Sequence, residues 1–268
     1  MRRFIDTSLR LADPLDEHRL FEFPADAADA SRLYGRIAPT RAEGRCVLTA
    51  PTFYGLARGA SDVRAVNDFV LQQRRPDGPV AAVFCVAEPK HQEHALEELE
   101  RVAARGAKGV VWSPRAQGVF GDDGALVSLC RRAHALGLRS MVRAAPYSTN
   151  EALWRTWRLA QECAEIPIVV TGALQSWDNA RSIIAAAGAP ENLLYDTSGW
   201  TVSTDPARIL DIVGQARLLF GTGGFGPADR AADELERRLR QGGTSGEAIE
   251  AIMYGNAERW LGLRSEPR

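Results

Sequence analysis

The sequence predicts an α/β fold, a closed (β/α)8 TIM barrel with an insertion after its first strand and helices at its C-terminal end. Two observations carry that expectation. Short apolar runs recur eight times along 268 residues, most of them apolar at every position rather than alternating. Strands buried on both faces read this way. Between the runs lie segments with an apolar stripe at helical spacing, and alternating strand and helix is the pattern of parallel βα units. At this length a closed barrel is the economical architecture, with an open doubly wound sheet as the alternative.

The strands are expected at Phe4-Ile5, Cys46–Leu48, Val80–Val86, Gly109–Trp112, Ser140–Val142, Ile168–Val170, Leu193–Tyr195 and Leu218–Phe220. Helical periodicity marks Ser61–Arg75, then His91–Arg105 with Leu96, Leu99, Val102 and Ala103 on one stripe. It continues at Asp122–Leu136, Thr149–Cys163, Trp177–Ala187, Thr204–Val213 and Pro227–Arg240. Gly106, Gly137, Gly188 and Gly214 fall just past helices, where a left-handed residue closes the last turn. Residues 13–44, rich in Ala, Asp and Pro, form the insertion, placed to cover the barrel mouth. Residues 246–263 read as two terminal helices. No linker divides the chain, so residues 1–268 are expected to be one domain.

The composition narrows the function classes. Basic and acidic residues are interspersed and nearly balanced, at a formal net charge of -1, which disfavours nucleic acid and membrane surfaces as partners. Asp6 precedes any long apolar run, and no stretch approaches membrane-spanning length, so a cytoplasmic location is expected. Cys46, Cys85, Cys130 and Cys163 lack metal or redox spacing and read as buried free thiols. His91 and His94 are one helical turn apart, but at a solvated helix start beside Lys90 and Glu93.

Three motifs carry a resemblance. Met253–Leu263 is similar to a terminal GNAxRLLGL helix, Asn192–Gly199 to a seventh-strand NVYxDTSG, and Gly106–Val111 to a fourth-strand GxxGV. Together, and in this order, they resemble the amidohydrolase-2 branch of the amidohydrolase superfamily, which includes metal-dependent decarboxylases and lactone hydrolases. The resemblance implies where a metal shell would stand. The family's first-strand IDxHxH aligns with Ile5–Arg10 and puts Ser8 and Arg10 at the histidines. Its fifth-strand histidine aligns with Arg143, its sixth-strand histidine falls at Thr171-Gly172, with Gly172 at the position, and its eighth-strand aspartate aligns with Gly223. Hydroxyl, glycine and guanidinium do not replace imidazole and carboxylate around a divalent ion, so no metal and no other cofactor is expected.

What remains at the strand ends suits a small planar anion, because arginine forks a carboxylate and aromatics cover ring faces. The expected ligand-binding residues are Arg10, Arg143, Tyr54, Trp112, Arg115, Tyr147, Gln175, Trp200 and Thr222, with Asp196 and Glu88 as candidates for proton transfer. In a competing reading Arg10 and Arg143 pair with Asp6, Glu88 or Asp196 and plug the emptied cavity, and Asp196 only holds loop geometry. Gly221–Gly226 fits the spacing of a dinucleotide fingerprint, but no further strand follows it; it reads as an anion nest or simply a tight turn. The functional expectation is a ligand-binding or accessory homologue of a metal-dependent hydrolase, partnered with a metal-bearing paralogue or with itself. The alternative is a metal-independent hydrolase or decarboxylase-like lyase acting on a small aromatic or lactone carboxylate.

Overall fold

The computed structural model describes residues 3–10, 35, 38–50, 60–75, 77–185, 189–200, 206–224 and 226–263. Most of the 13–44 insertion, Tyr54 and the side chain of Trp177 lie outside the described residues.

Eight parallel strands follow one another around the sheet in sequence order. They are β1 (Phe4–Arg10), β2 (Gly44–Thr49), β3 (Val80–Cys85), β4 (Gly109–Trp112), β5 (Arg139–Arg143), β6 (Ile168–Thr171), β7 (Leu193–Asp196) and β8 (Leu218–Leu219). The helices around them are α1 (Ala60–Gln72), α2 (Gln92–Ala104), α3 (Pro114–Gln117), α4 (Gly124–Ala135), α5 (Leu153–Glu162), α6 (Trp177–Ala185), α7 (Pro206–Val213) and α8 (Ala228–Gln241). The fold is therefore the expected (β/α)8 barrel. Gly106, Gly137 and Gly214 take positive φ just past helices, as the sequence predicts.

Strand alternation sorts side chains into two cores. Phe4, Cys46, Leu48, Val110, Trp112, Val142, Val170 and Tyr195 face the helices. Ile5, Val47, Phe84, Val111, Met141, Val169 and Leu219 fill the barrel. The barrel's lower end is closed by the C-terminal run, which comprises α9 (Gly246–Glu250), a π-helical turn (Ala251–Gly255) and α10 (Asn256–Leu261) rather than two separate helices. Trp260 packs on Phe84 with ring centroids 5.2 Å apart. Asn256 Nδ2 donates to the carbonyls of Gln215 and Leu218, both at 2.7 Å, and so fastens α10 under β8. Asn192 similarly donates to the carbonyls of Ala160, Cys163 and Ile166 behind α5. The asparagines of two sequence motifs are thus structural fasteners.

The barrel closes between β8 and β1 through a few specific bonds. Thr7 N and Thr7 Oγ1 donate to the Phe220 carbonyl at 3.0 and 2.8 Å. Asp6 accepts from Thr222 N at 2.9 Å and from Thr222 Oγ1 at 2.5 Å. β1 also carries a bulge: Asp6 pairs with Cys46 but Leu9 with Leu48, so one extra residue lies on β1. The bulge reverses the alternation. Ile5 points into the barrel, yet Leu9 joins the outer core, and Ser8 and Arg10 are turned to the mouth. Among the described residues no helix is long and apolar enough to cross a membrane, and all four cysteines are buried free thiols.

Candidate functional site

The upper ends of the strands surround one cavity. Ser8 and Arg10 reach it from β1, Arg143 from β5, Gly172 from just past β6 and Gly223 from the loop after β8. These are the five positions that the sequence alignment placed together. Gln175, Thr171, Ser113 and Ser198 complete its polar wall, while Val111 and Met141 form an apolar floor.

Arg10 and Arg143 dominate the electrostatics. Arg10 Nε is buried without a hydrogen-bond partner. Burial and the neighbouring Arg143 guanidinium pull Arg10 down to about 9, so it stays protonated at neutral pH. Arg143 Nε lies 3.6 Å from Glu151 Oε2, beyond hydrogen-bond range. Glu151, on the loop after β5, is 3% exposed and accepts from Arg115 N at 3.3 Å. Burial raises its pKa, opposed by Arg143, Arg115 and Arg10. The expected self-plugging pairs of Arg10 or Arg143 with Asp6, Glu88 or Asp196 are not formed among the described residues. Asp6 and Asp196 instead accept from hydroxyls and backbone amides, Glu88 accepts from the Lys90 amide, and the partner of Arg143 is Glu151.

Asp196 lies beneath the cavity wall. Its Oδ1 accepts from Ser198 Oγ at 2.5 Å, Ser198 N at 3.1 Å and Gly172 N at 3.4 Å. The Ser198 hydroxyl is 2.9 Å from Thr171 Oγ1 and also accepts from Gly172 N at 2.8 Å. Gly172 takes φ +78°, and a Cβ there would stand 2.8 Å from the Ala144 carbonyl, so this corner is built around a glycine. Asp196 Oδ2 has no aligned partner. Burial raises the Asp196 pKa against the hydroxyls of Ser198, Ser8 and Thr171, which favour the ionised form.

The loop after β8 spends its amides internally. Thr222 N binds Asp6, Gly223 N donates to Ser8 Oγ at 3.0 Å and Gly224 N to Thr222 Oγ1 at 3.2 Å. Gly224, at φ +81°, passes so near the Arg10 carbonyl that a Cβ would lie 2.8 Å from it. These three amides therefore hold the seam instead of forming an anion nest.

The other expected residues are dispersed. Gln175 lines the cavity with Arg10 and Arg143. Trp112 does not: Val111 faces inward, so its neighbour on the strand points to the helices, fully buried, with Nε1 3.3 Å from Ser140 Oγ. Tyr147 is 89% exposed on the loop after β5. Arg115 is exposed, and its backbone amide donates to Glu151. Trp200 and Thr222 line a separate cavity beside α8, where Arg238 stands 5.6 Å from the Trp200 ring. Glu88 caps a 3-10 turn through Lys90 N at 3.3 Å, and burial raises its pKa. Sequence reasoning missed Glu151, Thr49 and Ser113, polar residues that only the folded cavity brings together, as wall residues or behind Arg143.

Asp6 gives the site a pH signature. Burial raises it to about 6 from an ordinary 3.8, against bonds from Thr222 and Ser8 and with help from Asp196. A carboxyl raised in the folded state contributes stability that is complete below the unfolded pKa and lost as pH rises through the folded one. Between pH 4 and pH 6 the Asp6 contribution therefore falls by about 1 to 3 kcal/mol. Asp196, Glu88 and Glu151 shift in the same direction. Denaturant unfolding across this range is expected to show a wild-type slope that Asp6→Asn reduces; identical slopes would remove Asp6 as its source.

The amidohydrolase family model matches residues 5–263, spanning barrel, cavity and terminal helices. The chain belongs to the amidohydrolase family. No curated protein sequence matches it. Among solved structures this amidohydrolase barrel is similar to 2,6-dihydroxybenzoate decarboxylase from Rhizobium, with 17% identity, TM-score 0.71, and 98% of this chain and 99% of that one covered. Dihydroxybenzoic acid decarboxylase from Polaromonas sp. JS666, solved with manganese and the inhibitor 2-nitroresorcinol, matches at 17% identity, TM-score 0.72 and 99% and 98% coverage. A probable 2-pyrone-4,6-dicarboxylic acid hydrolase from Acinetobacter baumannii, with citric acid bound, matches at 13%, TM-score 0.61 and 97% and 100% coverage. At these identities the likeness extends to the fold.

Proposed function

We propose that this amidohydrolase barrel is a ligand-binding homologue whose cavity takes a small planar carboxylate through Arg10 and Arg143. The carrying observation is the buried, partnerless Nε of Arg10 in the same cavity as Arg143. A buried guanidinium nitrogen without a hydrogen-bond partner is costly, and an anionic ligand would supply that partner. The apolar floor of Val111 and Met141 suits a ring, and Gln175, Thr171 and Ser198 offer hydrogen bonds to its substituents.

The residues present do not fit the manganese of the Polaromonas decarboxylase. The five converging positions supply one hydroxyl, two guanidiniums and two glycines. Among the described residues no three His, Cys, Asp or Glu side chains are grouped to hold an ion. Two fixed cations would repel another one placed between them.

A second reading, a metal-independent lyase or hydrolase, is favoured by the activities named for the similar structures and by the raised pKa of Asp196. Asp196 would act through the Ser198 hydroxyl, which it holds at 2.5 Å and which lines the cavity. Calorimetric titration of chelator-treated protein with an aromatic carboxylate and its uncharged amide tests the shared premise. Both readings require that only the acid binds; release of carbon dioxide or hydrolysis product would then select the second.

A further inference from the structure

We propose that Glu151 sets the charge class of the ligand, leaving the cavity matched to a monocarboxylate rather than a dicarboxylate. This rests on the anion-site reading of the cavity above.

Glu151 is almost wholly buried and is not itself part of the cavity wall. It stands behind Arg143, 3.6 Å from Nε, and its charge also reaches Arg10 and Arg115. Its loop is pinned, with Glu151 N bonded to Ser148 Oγ at 3.3 Å and its carbonyl accepting from Ala145 N at 2.9 Å. The negative charge is therefore held in one place by the backbone. Of the two guanidiniums lining the cavity, it compensates one; Arg115 is exposed and its charge is largely screened. Asp6 and Asp196 lie deeper, engaged with hydroxyls and amides. Among the described residues one positive charge is left for the ligand, and a second carboxylate would meet Glu151 across Arg143. Glu151 acts through Arg143 as a positioning and specificity residue.

Benzoate and isophthalate, titrated into full-length wild type, Glu151→Gln and Glu151→Asp, test this. Wild type is expected to prefer benzoate. Glu151→Gln is expected to shift the preference about tenfold toward isophthalate, as removal of one unit charge several Å away in a partly buried site predicts. Glu151→Asp is expected to retain the wild-type preference. A wild-type preference for isophthalate overturns the proposal without any variant. An unchanged ratio in a folded Glu151→Gln that still binds also overturns it, leaving the anion site intact. If wild type binds neither acid, the anion-site reading itself fails.

Discussion

Arg143→Ala is expected to weaken binding of an aromatic carboxylate about a hundredfold, measured by calorimetry on protein whose circular dichroism matches wild type. The side chain lines the cavity at the end of β5, and its counterion, Glu151, is not close enough for a hydrogen bond. Its forked donors are thus available to a ligand. Arg143→Lys should recover only part of the loss, because an ammonium keeps the charge but not the planar fork. Arg10→Met supplies the complementary sign. It too should lose affinity, yet its melting temperature should equal or exceed that of wild type, because it removes a guanidinium with a buried, partnerless nitrogen. Loss of affinity together with retained stability marks a residue kept for its ligand. A large drop in stability for Arg10→Met would instead mark Arg10 as part of the scaffold.

Asp6→Ala is expected to be the most damaging single change to the fold at this end of the barrel. Its carboxylate is fully buried and accepts from Thr222 N, Thr222 Oγ1 and Ser8 N, joining β1 to the loop after β8. Truncation strands those buried donors and leaves a small void, while relieving a desolvated charge. The balance is a loss of about 2 to 4 kcal/mol. For a chain of this size the melting temperature should fall by roughly 5 to 15 °C, read by calorimetry at neutral pH. The loss should be greater at pH 5, where wild-type Asp6 is protonated in the folded state and contributes more stability. A melting temperature within a degree of wild type at both pH values would mean that the seam is held elsewhere.

The barrel was legible because strands buried on both faces are continuously apolar, and because Gly106, Gly137 and Gly214 mark where helices stop. Local irregularities were less legible. The bulge at Thr7-Ser8 leaves no mark in composition, yet it decides that Ser8 and Arg10, rather than Leu9, face the mouth. Trp112 was expected at the cavity by its position at a strand end, but strand parity places it outside. Glu151 was hidden for a different reason. Periodicity began the helix at Thr149, whereas α5 starts at Leu153, so Glu151 fell inside an expected helix and not on the loop beside Arg143. The five aligned positions converge on one cavity, since residues at the ends of different strands meet only when the sheet curls. Tyr54, the side chain of Trp177 and the bulk of residues 13–44 lie outside the described residues.

In the proposed site fixed arginine charges, rather than a divalent ion, receive the ligand. Calorimetric titration of chelator-treated protein with benzoate and with benzamide, repeated with added manganese, tests this most directly. One benzoate per chain, no benzamide binding and an affinity that manganese leaves unchanged are expected. Benzoate binding that appears only when manganese is supplied would contradict this role of the arginines.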